Sequence, residues 1–144
     1  MAVQRLDHIG VVVRDLEAAR DFFLAIGLEQ SGEASVGGAG VDAIIGLEGA
    51  QSDLVALRAP SDTTWLEVSR FRSPASPPAG PPAPVHAPGL RHLCFAVDDL
   101  EQVLSAVRGL GYDLIGTVER WENAYVLCYV RGPEGIIVEL AEAL

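Results

Sequence analysis

The sequence predicts an α+β fold made of two tandem βαβββ modules, and three observations carry that prediction. Shifting the chain by 84 residues superposes His8 on His92, and with it Leu6 on Leu90, Val13 on Val97, Asp15 on Asp99, Leu16 on Leu100, Glu17 on Glu101, Gly27 on Gly111 and Gly32 on Gly116. A repeat of this kind, read before any local feature, sets the architecture. Each copy then shows the same succession of periodicities, from strand to helix to strands. Between the copies, "SPASPPAGPPAPVHAP" (73–88) holds seven of the nine prolines. Such a segment is a stiff, extended connector. Module one is therefore 5–72 and module two 89–144, within a single domain spanning 1–144.

The elements follow in order. The apolar, β-branched run "HIGVVV" predicts a strand over about 6–13, and "HLCFAV" its copy over about 90–97. Asp15 and Asp99 come next, each of a type that caps a helix by accepting a hydrogen bond from a free amide of the first turn. Leu16, Ala19, Phe23 and Ile26 form one helical stripe, and Leu100, Val103, Leu104, Val107 and Leu110 form the other. Gly27 and Gly111 stand where a left-handed residue ends a helix. Three strands are then predicted in each copy: about 40–46, 52–58 and 64–70, and about 112–119, 124–131 and 135–141.

Composition narrows the function. A chain of 144 residues, 49% hydrophobic and 21% charged, is long enough to bury its own core. The net charge of −10 argues against nucleic acid and anionic membrane as partners, since both call for a basic face. All ten basic residues are arginine. Without lysine there is no Schiff-base, lysine-nucleophile or P-loop chemistry. No apolar run approaches the length of a membrane span, and no basic stretch leads into an apolar one at the start. Cys94 and Cys128 are isolated in strand-like runs and read as reduced thiols, which suits a cytoplasmic protein.

Alternation separates the faces of the strands. Ile9, Val11 and Val13 share one face with the helices; His8, Gly10 and Val12 share the other. In the copy, Leu93, Phe95 and Val97 oppose His92, Cys94 and Ala96. In the last strands, "TWLEVSRF" sets Glu67 between Leu66 and Val68, and "GIIVELAE" sets Glu139 between Val138 and Leu140. A glutamate in an apolar strand is costly unless something neutralises it. A single histidine at a strand start is more often structural, and a single strand glutamate more often solvated. Repetition at equivalent positions in both copies changes the balance. Two imidazoles and two carboxylates, His8, Glu67, His92 and Glu139, make a ligand set for one divalent ion per chain, and mixed N/O ligation favours Ni, Co, Zn, Fe or Mn. Cys94 reads as a lining residue of that site, Glu48 as a turn residue with a possible acid–base role, His86 as a solvated connector residue and Glu142 as a surface residue. Trp65, Trp121, Tyr125 and Arg131 are candidates for substrate choice.

"LDHIGVVVRDLEAARDFF", "GLRHLCFAVDDLE" and "RGPEGIIVELAE" together resemble the vicinal oxygen chelate superfamily, which includes glyoxalase I, methylmalonyl-CoA epimerase, extradiol dioxygenases and the bleomycin- and fosfomycin-resistance proteins. The resemblance implies paired modules forming a cupped mixed sheet, with metal ligands from the first and last strands of each module, here His8, Glu67, His92 and Glu139. It further implies a small substrate with vicinal oxygens, turned over through a metal-stabilised enolate by a glyoxalase- or epimerase-like isomerase or lyase. Glu139 and Glu67 are the catalytic candidates, and the resemblance favours Glu139 as ligand and base. The competing expectations are an iron-dependent dioxygenase and a protein that binds a small molecule or antibiotic. Modules of this kind cover their sheet edges with another module, within a chain or across a dimer, and a homodimer is expected.

Overall fold

In the computed structural model, which describes residues Met1–Leu144, the chain divides into two units, Met1–Pro78 and Ala79–Leu144. The first unit runs β1 (His8–Val12), α1 (Leu16–Ala25), β2 (Glu29–Gly37), α2 (Ala39–Ile45), β3 (Gln51–Arg58) and β4 (Trp65–Ser73). Its sheet has the order β1-β4-β3-β2, with β1 parallel to β4 and the other pairs antiparallel. The second unit runs β5 (His92–Val97), α3 (Leu100–Gly109), β6 (Asp113–Leu114), β7 (Glu119–Trp121), β8 (Tyr125–Arg131) and β9 (Ile137–Ala143). Its order is β5-β9-β8-β6, with β7 also on β8, and β5 is parallel to β9. The first and last strands of each unit are thus hydrogen-bonded neighbours, although they are far apart in sequence.

Both helices of the repeat start and stop as their sequences predict. Asp15 accepts from the Ala18 amide and Asp99 from the Gln102 amide, each at 2.9 Å. At the other end, Gly27 (φ +108°) and Gly111 (φ +89°) occupy the left-handed region, and the amides of Leu28 and Tyr112 reach back to the carbonyls of Phe23 and Val107. The helices bury their apolar stripes against one face of each sheet. Phe22 and Phe23 are fully buried in the first unit with Leu57 and Val68; Val107 is fully buried in the second with Val130, Val138 and Leu140.

Three expectations are corrected. Residues 40–46 form helix α2, not a strand. Its apolar, β-branched content suggests a strand, but left-handed Gly46 (φ +71°) closes the segment, and the Asp42 carboxylate accepts from the Gly49 and Ala50 amides. The strand of that region is β2, whose side chains are nearly all exposed at the outer edge of the sheet, so it shows no apolar alternation. The run 112–119 is broken: only Asp113–Leu114 and Glu119–Trp121 pair with β8. Glu142 is half-buried and accepts from the Leu100 amide at 2.7 Å, bracing the start of α3 instead of facing solvent. The proline-rich connector has no regular secondary structure but is anchored: Pro77 O accepts from Arg14, and Ala83 O accepts from Arg131. No helix is long and apolar enough to cross a membrane.

Candidate metal centre

The parallel pairing of first and last strands brings each histidine to its glutamate. Gly10 is the register partner of Glu67 and Cys94 that of Glu139, so His8 and His92 each stand two residues away on the same face. His8 Nε2 lies 3.8 Å from Glu67 Oε2, and His92 Nε2 lies 3.1 Å from Glu139 Oε2. The neighbours that flank the glutamates in sequence, Leu66, Val68, Val138 and Leu140, are buried on the helix side. Alternation therefore places all four polar side chains where it predicts them. Each unit presents one imidazole and one carboxylate; no group of three or more metal-ligating side chains gathers within the chain.

The two pairs are built differently. In the first unit Asp7 Oδ2 is 2.9 Å from His8 Nδ1, and Arg5 holds the other Asp7 oxygen at 2.5 Å. The hydrogen bond to His8 and the Arg5 guanidinium keep the Asp7 carboxyl below the usual range. A carboxylate on Nδ1 calls for the imidazole proton there, which frees Nε2 as a lone pair toward Glu67. Trp65, the register partner of His8, stacks on its ring at 4.5 Å and 27°. Glu67 itself is flanked across the sheet by Gly10 and Ala56, which leave its carboxylate room.

In the second unit those flanking places hold Cys94 and Tyr129, and both hydrogen-bond to Glu139. Burial, and then the negative charge of Glu139, raise the Cys94 thiol and the Tyr129 phenol above their ordinary values. Both therefore stay protonated near neutrality and act as donors. The Tyr129 hydroxyl also lies 3.4 Å from His92 Nε2, and the two rings sit 4.9 Å apart. Arg91 takes the place beside His92 that Asp7 takes beside His8, and its guanidinium donates to Pro88 O.

The other sequence candidates separate clearly. Cys94, Trp121 and Tyr125 line a cavity of about 690 Å³ in the second unit that reaches Glu139. Arg131 is turned away from it, donating to Ala83 O and Gly135 O, so it belongs to the connector's anchorage and not to the cavity. Glu48 is exposed in the turn after α2, and His86 is exposed in the connector. Asp7 and Tyr129 were not among the candidates. Asp7 could have been found by its adjacency to His8, and Tyr129 by its period-two relation to Tyr125.

Two βαβββ units, each presenting a histidine and a glutamate from adjacent parallel strands, define a class that the comparisons identify. Residues 7–143 match the glyoxalase/bleomycin resistance protein/dioxygenase superfamily, and the chain belongs to it. A glyoxalase family protein from Bacillus cereus is 36% identical, with 100% of this chain and 99% of that one covered and a TM-score of 0.94. TnmS3, an antibiotic binding protein from Streptomyces sp. CB03234, shares the fold at 19% identity, TM-score 0.65, with 100% and 99% covered. So does the fosfomycin resistance protein FosX from Listeria monocytogenes, at 16% identity, TM-score 0.61, with 99% and 95% covered. No curated protein matches the sequence.

Proposed function

We propose that the chain is a divalent-metal-dependent enzyme of the glyoxalase or epimerase kind, acting on a small substrate that presents two neighbouring oxygens. The observation that carries this reading is the same His–Glu pair, in the same strand register, in both units. A pair from each unit, His8 with Glu67 and His92 with Glu139, supplies two nitrogens and two oxygens, a donor set suited to Ni, Co, Zn, Fe or Mn. The freed Nε2 of His8 fits that role. The ion, when bound, polarises the substrate oxygens and stabilises negative charge that develops on them.

The chain's own groups account for the rest. Glu139 borders the cavity and is the base, taking the proton α to the substrate carbonyl onto a carboxylate oxygen and returning it. Tyr129 and Cys94 hold that carboxylate in orientation through hydrogen bonds. Glu67, with no such donors beside it, serves as the second carboxylate ligand. The pairs are completed in a homodimer: β1 and β5, which carry the histidines, each lie at the end of their sheet, and Val12, Leu6 and Leu90 on or beside them are exposed. Such edges are normally covered. The proposed setting is cytoplasmic.

Elemental analysis of protein purified without chelator tests the reading. One divalent ion per chain is expected, and His8→Ala combined with His92→Ala should remove it. Full metal content in the double variant would overturn the assignment. A second reading, a protein that binds a small molecule without turning it over, is favoured by the size of the cavity. It would show as bound metabolite with no exchange of substrate protons in D₂O.

A further inference from the structure

The cavity of the second unit is ordered in rows, because three strands contribute side chains in register. Cys94, Glu139 and Tyr129 form the first row, and Ala96, Ala141 and Leu127 the second. Ala143 and Tyr125 form the third, with Trp121 paired to Tyr125 on β7. All of these side chains line the same cavity of about 690 Å³.

A polar row thus stands at one end, an apolar floor of two alanines and Leu127 in the middle, and an aromatic pair at the other end. Successive rows are two residues apart along a strand, so the polar and aromatic rows are separated by about 13 Å of backbone. Trp121 and Tyr125 are 59% and 46% exposed, large aromatic faces without a partner of their own. The lining contains no arginine; its charged members are Glu139 and Asp98, both acidic.

The geometry points to a binding site for a flat, multi-ring organic molecule, uncharged or cationic, lying on the alanine row between Trp121/Tyr125 and the Glu139 end. Ala96 and Ala141 keep two of the three floor positions short, and the aromatic row gives a ring a stacking surface. A ligand of three or four carbons would reach from the polar row to the floor and leave the aromatic row unused. An anionic ligand would meet two carboxylates with no cation on the cavity wall, in a chain of net charge −10. The placing of the molecule's oxygen pair at Glu139 rests on the metal-site reading above; the ring site does not.

Calorimetric titration of chelator-treated protein separates the two. The probe is 2,3-dihydroxynaphthalene, compared with its 6-sulfonate, which has the same ring system and one negative charge. The neutral probe should bind saturably without metal, and the sulfonate at least ten-fold more weakly. In Trp65→Phe, where Trp121 is the remaining tryptophan, binding should quench the emission. Trp121→Ala should lose about ten-fold in affinity, the scale of a lost aromatic stack with its buried area. Ala141→Leu, which fills the floor, should lose at least as much while circular dichroism is unchanged. No binding of the neutral probe, equal binding of the sulfonate, or an unaltered affinity in both Trp121→Ala and Ala141→Leu would overturn the ring site. Loss of metal binding with probe binding intact would overturn only the metal-site reading.

Discussion

Removing the Asp7 carboxylate should weaken metal binding although Asp7 itself touches no metal. Neutral imidazole has a single N–H, and Asp7 at 2.9 Å from Nδ1 places it there, leaving Nε2 to face Glu67 at 3.8 Å. In Asp7→Ala both tautomers become available, and the ring keeps its stack on Trp65 and its approach to Glu67 but loses the hydrogen bond at Nδ1. Loss of such a partner costs 10–100-fold in metal affinity in general. Asp7 is half exposed, so water replaces part of what it supplies, and the expected loss lies at the low end of that range, near ten-fold. Asp7→Asn, which can still accept from Nδ1–H but carries no charge, should fall between. The assay is competition for Zn²⁺ or Ni²⁺ against a chromophoric chelator at neutral pH, with a thermal melt to establish that the variant is folded. His8→Ala provides the reference for complete loss of that ligand. Unchanged affinity in a folded Asp7→Ala, beside a large loss in His8→Ala, would refute the argument that Asp7 orients the ring.

Other consequences follow from the same geometry. Glu139→Gln keeps an oxygen for a metal but cannot take a proton, so it should retain metal and lose about 10²–10⁴-fold in rate; deuterium from D₂O should enter the substrate α-carbon with the wild type and not with the variant. Equal exchange in both would remove Glu139 as the base. Asp53, which accepts from the Ser35 hydroxyl at 2.7 Å and faces Arg70 and Arg72, has its carboxyl held below the usual range by these groups. A carboxyl depressed in the folded state stabilises fully above its unfolded value, near 3.9, and ceases to do so as pH falls through the folded value. Asp53→Asn should therefore be less stable than wild type at neutral pH and show a flatter decline in acid; parallel urea midpoints from pH 7 to 2 would contradict this. Light scattering should give a mass near twice 15.2 kDa, and a monomer at micromolar concentration would count against the dimer.

What the amino-acid sequence determined by itself is whatever has a local period or a local cap. The repeat, the helices after Asp15 and Asp99, their glycine ends and the facing of His8, Glu67, His92 and Glu139 were all legible, because alternation and capping act within a few residues. The edge strand β2 was not, since a strand exposed along its length carries no apolar alternation, and α2 was misread because its isoleucines suit a strand until Asp42 and Gly46 close the turn. Only the tertiary structure decided which residues share a row. Cys94, Glu139 and Tyr129 come from three strands, Arg131 is drawn off to Ala83, and Glu142 reaches the start of α3. Each depends on the register between strands distant in the chain. That register is set by the summed packing of both faces of the sheet and by the connecting turns, not by any one segment.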